Sequence, residues 1–238
     1  MADFKYIDRI RVTNYFTLGR VQEFLKLHCR LREEGDDDKL REIEAKLRGI
    51  DPEDIETPRR YKTVILDSLT EAEVFCMYQL LGINDTTKID DEVASAEWAE
   101  YKKQHSMVAR LVRAYRDLPM NVLMTCARSY TQDEQKRFNY SPQMTGKLAS
   151  QVQGFVDMVG YLTSGAVAAV EGGETNEKTI GRRMYVQPVG RFAAKNRFSM
   201  FKGTYFDNPT METIFRSVGL LPKLAAKTAA GAPKAAGK

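Results

Sequence analysis

Residues 63–68 read TVILDS: four residues of a short apolar, β-rich run, then a carboxylate at Asp67 and a hydroxyl at Ser68. A magnesium ion bridging phosphates prefers hard oxygen ligands and keeps several of its waters. A carboxylate at a strand tip, in the crevice at the C-terminal edge of a parallel sheet, can hold such a water. Ser68 beside it can support the ion or orient the loop. The stretch has a second reading. It continues as SLTE, and Asp67 or Ser68 can cap a following helix, with Glu71 completing a capping box.

Two other pieces could act with it. NVLMTC, residues 121–126, reads as a second buried strand whose end places Thr125 near a terminal phosphate as a sensor. The polar loop that follows mixes Arg128, Lys136 and Arg137 with Tyr130, Phe138 and Tyr140. Cations interleaved with aromatics hold single-stranded nucleic acid through phosphate contact and base stacking. Asp133 and Glu134 dilute that charge, and a plain surface loop has the same composition. AAKNRF, residues 193–198, sets Lys195 and Arg197 two apart. In an extended segment they project the same way, which suits a polyanion such as a triphosphate. Basic residues that blunt a sheet edge look the same.

The elements that must position these groups are legible in outline. DRIRVTNY, residues 8–15, reads as a short strand and its exit. From Leu18, apolar residues at helical spacing (Val21, Phe24, Leu25, Leu31) predict a helix, and a charged helix follows over about 39–48, stopped by Gly49. After Asp67 the spacing predicts a helix ended by Gly82, then a long one over about 92–117. A short helix is expected over 147–153, a strand over 156–162, two strands around the Gly-rich turn near 172, and a last short helix over 210–218. Strands separated by helices, then a β-rich end, predict an α/β three-layer core with a mainly parallel sheet.

Composition narrows the classes. The 238 residues are 43% hydrophobic, enough for a substantial core, and no window is apolar enough for a membrane span. The first residues lack a secretory h-region. Cys29, Cys76 and Cys126 lie far apart and fit no CxxC pattern, so they read as reduced thiols of a cytoplasmic protein. The net charge of +4 matches the four lysines of the last stretch, PKLAAKTAAGAPKAAGK, which has no acid. That tail, 221–238, reads as a disordered basic segment outside a domain spanning 1–220.

The order of these motifs resembles a known family. IDRIRVTNY, YKTVILDSLTE, NVLMTCA, SPQMTGKLASQVQGFVDMVGYL and RFAAKNRF follow one another as in the RecA-like, AAA-type P-loop ATPases encoded by bacteriophages for recombination. The resemblance spans about 6–218. It implies ATP and magnesium as cofactors, with Asp67 as the Walker B acid. Lys195 and Arg197, in KNR, would reach a neighbouring protomer's nucleotide in trans, as the K-N-K motif of RecA does. The 127–146 loop would face DNA or sense the nucleotide. Single-stranded DNA, a single-strand-binding or annealing protein and an oligomer are the implied partners, in the host cytoplasm. The family's Walker A loop, G-x-x-x-x-G-K-[ST], and its D-x-E-G segment with the water-activating glutamate are not found in these residues. Gly146-Lys147 is followed by Leu148, with Ser141 where the first glycine belongs. The comparison implies a chain that starts just after the acidic segment and has little or no ATPase activity by itself. The alternative is a non-catalytic module that docks on a complete ATPase or a DNA-binding partner.

Overall fold

The computed structural model describes residues 8–171 and 174–222, with side chains described outside 166–180. The chain divides into two compact units, Met1–Val156 and Asp157–Lys238. The basic tail expected over 221–238 lies outside the described residues from 223 onward.

The first unit opens on helix α1, Tyr15–Glu34. Asn14 caps it, its side chain accepting from Thr17 N, and Gly35 closes it in the left-handed conformation with φ 73°. The short strand expected over 8–15 does not form: residues 8–14 run without regular structure into the Asn14 cap. Helix α2, Asp37–Arg48, follows at once and ends at Gly49 (φ 67°). A 3-10 turn, Pro52–Asp54, interrupts the linker. Strand β1 is Thr63–Leu66, and helix α3, Leu69–Leu80, starts three residues later.

Helix α4, Trp98–Arg116, starts later than its apolar spacing predicts. Glu97 and Glu100 form a reciprocal capping box there, so the helix leaves out residues 92–96, and Val93 is exposed in the preceding loop. Strand β2, Asn121–Met124, pairs with β1 in parallel, Thr63 opposite Asn121 and Leu66 opposite Met124.

The segment expected as a polar loop is an antiparallel hairpin, β3 (Arg128–Gln132) and β4 (Phe138–Pro142), with Lys136 at φ 59° in its turn. By register Tyr130, Phe138 and Tyr140 fall on one face and Ser129, Thr131, Asn139 and Ser141 on the other, an alternation too short to stand out around the charged turn. Cross-strand pairs such as Tyr130 opposite Tyr140 set its register. Helix α5, Leu148–Phe155, closes the unit.

The core explains the arrangement. Val64, Leu66, Val122 and Met124 face inward from the two strands and meet Leu18, Leu25, Leu69, Cys76, Val108, Val112, Tyr115 and Leu148 from α1, α3, α4 and α5. Tyr115, almost fully buried, also donates its hydroxyl to Leu18 O at 2.9 Å. The opposite face of the strand pair is open, with Ile65 55% exposed. A three-layer parallel sheet is therefore not what the described residues form. They hold one parallel pair with helices packed on one face, whereas parallel sheets are usually covered on both.

The second unit is β-rich. Strand β5, Met158–Val159, pairs antiparallel with β8, Lys195–Asn196. Strands β6, Tyr161–Glu171, and β7, Glu174–Tyr185, make the expected long hairpin, and β9, Tyr205–Asp207, adds a third strand. Helix α6 is Met211–Ser217. The single strand expected over 156–162 is broken at Gly160. A Cβ there would lie 2.6 Å from Met184 Sδ, so a side chain is excluded unless the methionine moves.

Candidate nucleotide site

Asp67 and Thr125 sit at the C-terminal tips of two adjacent parallel strands, and the structure brings them together. The Thr125 hydroxyl donates to Asp67 Oδ1. Backbone bonds fix both: Thr125 N donates to Leu66 O at 3.0 Å, and Leu69 N donates to Thr125 O at 2.9 Å. Asp67 is exposed, so its carboxylate can meet a ligand at the strand edge.

Ser68 takes the capping role. Its hydroxyl oxygen accepts from Glu71 N at 3.3 Å, and α3 begins there. That occupies a lone pair of Ser68 and leaves Asp67 outside the cap. Among the described residues no group of three or more His, Cys, Asp or Glu could hold a metal directly. One carboxylate beside one hydroxyl suits a magnesium ion held through its water shell.

Two polar residues of α3 had no role in the sequence reading. Thr70 Oγ1 accepts from Ala127 N at 3.0 Å and donates to Gln143 O at 3.3 Å. Ala127 and Gln143 are the residues just outside the hairpin strands, and Gln143 N donates to Ala127 O at 2.7 Å. Glu73, three residues on, is buried and takes Thr145 N at 2.9 and 3.2 Å on its two oxygens. The signal was present in LTEAE, where Thr70 and Glu73 stand at i and i+3 among apolar residues.

The hairpin carries the cations expected to meet nucleic acid. Arg128 lies over the Tyr140 ring at 5.6 Å, and Tyr130 meets Phe138 edge-on at 5.4 Å. Arg128, Tyr130, Phe138 and Tyr140 share one face by register. Arg137 reaches back to Asp133, with Nε 2.7 Å from Oδ2, and Lys136 occupies the turn.

Lys195 and Arg197 lie in the second unit. Lys195 pairs with Val159, and Arg197 N donates to Asp157 O at 3.0 Å. Burial, then the Arg197 charge, holds the Lys195 amine below its ordinary pKa, opposed by Asp157. Asn196 between them faces the other way. Its amide donates to Phe201 O at 2.9 Å and Phe198 O at 3.3 Å, and its oxygen accepts from Phe198 N at 2.9 Å. In KNR the asparagine builds the turn, and Arg197 lies 3.7 Å from Asp157.

A second polar cluster lies at the start of β1. Buried Glu44 accepts from Arg59 N at 2.6 Å and from Arg48 Nη1 at 2.9 Å. Tyr61 donates its hydroxyl to Asp8. Buried His28 has Nε2 3.0 Å from Arg59 O, and its Nδ1 has no partner. Burial lowers its pKa.

Two adjacent parallel strands ending beside Asp67 and Thr125, with helices packed on one face, make this unit an α/β arrangement. A protein-family model described as an AAA domain matches residues 3–198, and the chain belongs to that AAA-type P-loop ATPase family. No curated protein and no solved structure matches it. No helix of the described residues is long and apolar enough to cross a membrane.

Proposed function

We propose that this chain contributes the acidic half of an ATP site in a RecA-like recombination protein of the bacteriophage kind, acting in the host cytoplasm. The observation that carries the reading is the Asp67–Thr125 pair at the tips of β1 and β2 in an AAA-family chain. Asp67 would hold a water of the magnesium ion, and Thr125 would test for the terminal phosphate. Magnesium would supply charge neutralisation of the phosphates. Lys195 and Arg197 would reach a neighbour's nucleotide in trans. The exposed face of Arg128, Tyr130, Phe138 and Tyr140 supports contact with single-stranded DNA, alongside a single-strand-binding or annealing protein.

Phosphate binding in this class rests on backbone N–H groups of a glycine-rich loop and its lysine. The 238 residues contain no G-x-x-x-x-G-K-[ST]. The phosphate grip must therefore come from a polypeptide segment outside these residues, and this chain alone should hydrolyse ATP little or not at all.

The test is ATP turnover by the chain with and without a polypeptide carrying strand, glycine-rich loop and helix. Activity should appear only in the mixture and vanish with Asp67→Ala. Turnover at ordinary rates by the chain alone, lost with Asp67→Ala, would refute the division of the site.

A second reading is favoured by the open sheet face at Ile65. The chain would then be a non-catalytic assembly module on a complete ATPase. Mixing it with such an ATPase should change the partner's ATPase rate or DNA binding, and Lys195→Ala should remove the change.

A further inference from the structure

We propose that the first turn of α3 mechanically couples the acidic strand tip to the β3–β4 hairpin, with the Thr70 hydroxyl as the positioning group. The inference deepens the nucleotide-site reading, because it concerns what a ligand at Asp67 would move.

The geometry joins three features within seven residues. Asp67 accepts the Thr125 hydroxyl. Leu69 N, one residue past the Ser68 cap, holds Thr125 O. Thr70 then holds both legs of the hairpin with a single oxygen, taking a proton from Ala127 N and giving its own to Gln143 O. Cys126 Sγ lies 3.3 Å from the same oxygen. Glu73, on the same side of the helix, holds Thr145 on the segment leading to α5. Gln104 of α4 donates to Glu73 O at 2.9 Å and anchors this turn to the core.

Among the described strands, β3 and β4 of the hairpin pair only with each other. Its direction is set at its base. A group that draws Asp67 toward itself competes with the Thr125 hydroxyl for Oδ1. Any shift of Thr125 is carried along the two residues to Ala127, where Thr70 is the fixed point. Threonine suits the position because its oxygen can accept and donate at once, whereas valine has the same shape and does neither.

Spatial continuity alone does not establish coupling, so the test is a double-mutant cycle. Amide exchange over 128–142 and tryptic cleavage after Lys136 and Arg137 are measured for four chains: unsubstituted, Asp67→Ala, Thr70→Val, and both. No nucleotide is present, so the cycle stands even if the chain binds none. That failure would show separately, in a titration with ATP and magnesium. Asp67→Ala should speed hairpin exchange about tenfold in the unsubstituted chain, the size expected for one charge-assisted bond. It should add less than about twofold in the Thr70→Val background. Thr70→Ser, which keeps the hydroxyl, should retain the full Asp67 effect. A merely structural role for Thr70 predicts independent effects that multiply. Multiplying effects, no response of the hairpin to Asp67→Ala, or Thr70→Ser behaving like Thr70→Val would each overturn the proposal.

Discussion

Asn196→Ala separates structure from chemistry within KNR. The side chain makes two bonds at 2.9 Å, to Phe198 N and Phe201 O, and a longer one at 3.3 Å to Phe198 O. It is half-buried, so each short bond is worth about 1 kcal/mol, and the long one, beyond ordinary N–H···O length, adds little. Truncation leaves no competing partner on the alanine, and the loss should be about 2 kcal/mol. Because 1.4 kcal/mol is tenfold, amides in 197–201 should exchange about 30-fold faster if the turn opens locally. Residue-resolved hydrogen exchange on the native chain reads this directly. Asn196→Asp keeps the acceptor for Phe198 N and loses both donors, so it should fall no better than midway. Arg197→Ala is the control. It removes an ion pair to Asp157 at 3.7 Å between exposed side chains, worth about 0–1 kcal/mol, while the backbone bond from Arg197 N remains. An Asn196→Ala effect below about threefold, or one matched by Arg197→Ala, would refute the assignment of asparagine to the turn.

Stability of the first unit should fall as pH drops below about 6.5. Burial holds folded His28 below its ordinary value of 6.5, aided by Arg32 and Arg60 and opposed by the Arg59 carbonyl and Glu44. The unfolded chain then binds more protons, so the stabilisation is present above that pH and lost as pH falls toward the folded pKa. His28→Gln should flatten the slope in urea melts followed by Trp98 fluorescence. All three cysteines should resist alkylation in the native chain and react after denaturation. Burial pushes the Cys76 thiol up to about 12 and raises Cys29 and Cys126, so the reactive thiolate is scarce. Gly160→Ala should cost about 1–3 kcal/mol through the contact with Met184, and Met184→Ala should cancel much of that in the double variant.

Where apolar residues follow a period and a glycine ends the run, the sequence was enough. Helix α2 stops at Gly49, α3 just before Gly82, and β1 ends before Asp67 as expected, while β2 ends at Met124, two residues short of the expected 126. The sequence placed Thr125 at the end of a second strand, but its hydrogen bond to Asp67 is a tertiary contact spanning 58 residues that the sequence does not show. The hairpin at 128–142 is not legible because its aromatic alternation is short and split by the charged turn at 133–137. Helix α4 starts at Trp98 rather than near residue 92 because the capping box of Glu97 and Glu100 decides the boundary. The three-layer sheet is expected from strands alternating with helices, but which strands pair is a tertiary matter, and among the described residues only β1 and β2 pair in parallel. Thr70 and Ser68 both sit in SLTE, yet only the cap is local. The partners of Thr70 are 57 and 73 residues away and belong to tertiary structure.

The parallel register of β1 and β2 also constrains the order in which the chain reaches its native state. Thr63 and Asn121 are 58 residues apart, with α3 and α4 between them. Closing a loop of that length costs entropy before any strand bond returns it. The helices, with local contacts, can form first and gather the core that receives Val64, Leu66, Val122 and Met124. The two strand tips meet only once that docking is complete. On that order, a chain with native helices but unpaired strands would hold Asp67 and Thr125 apart.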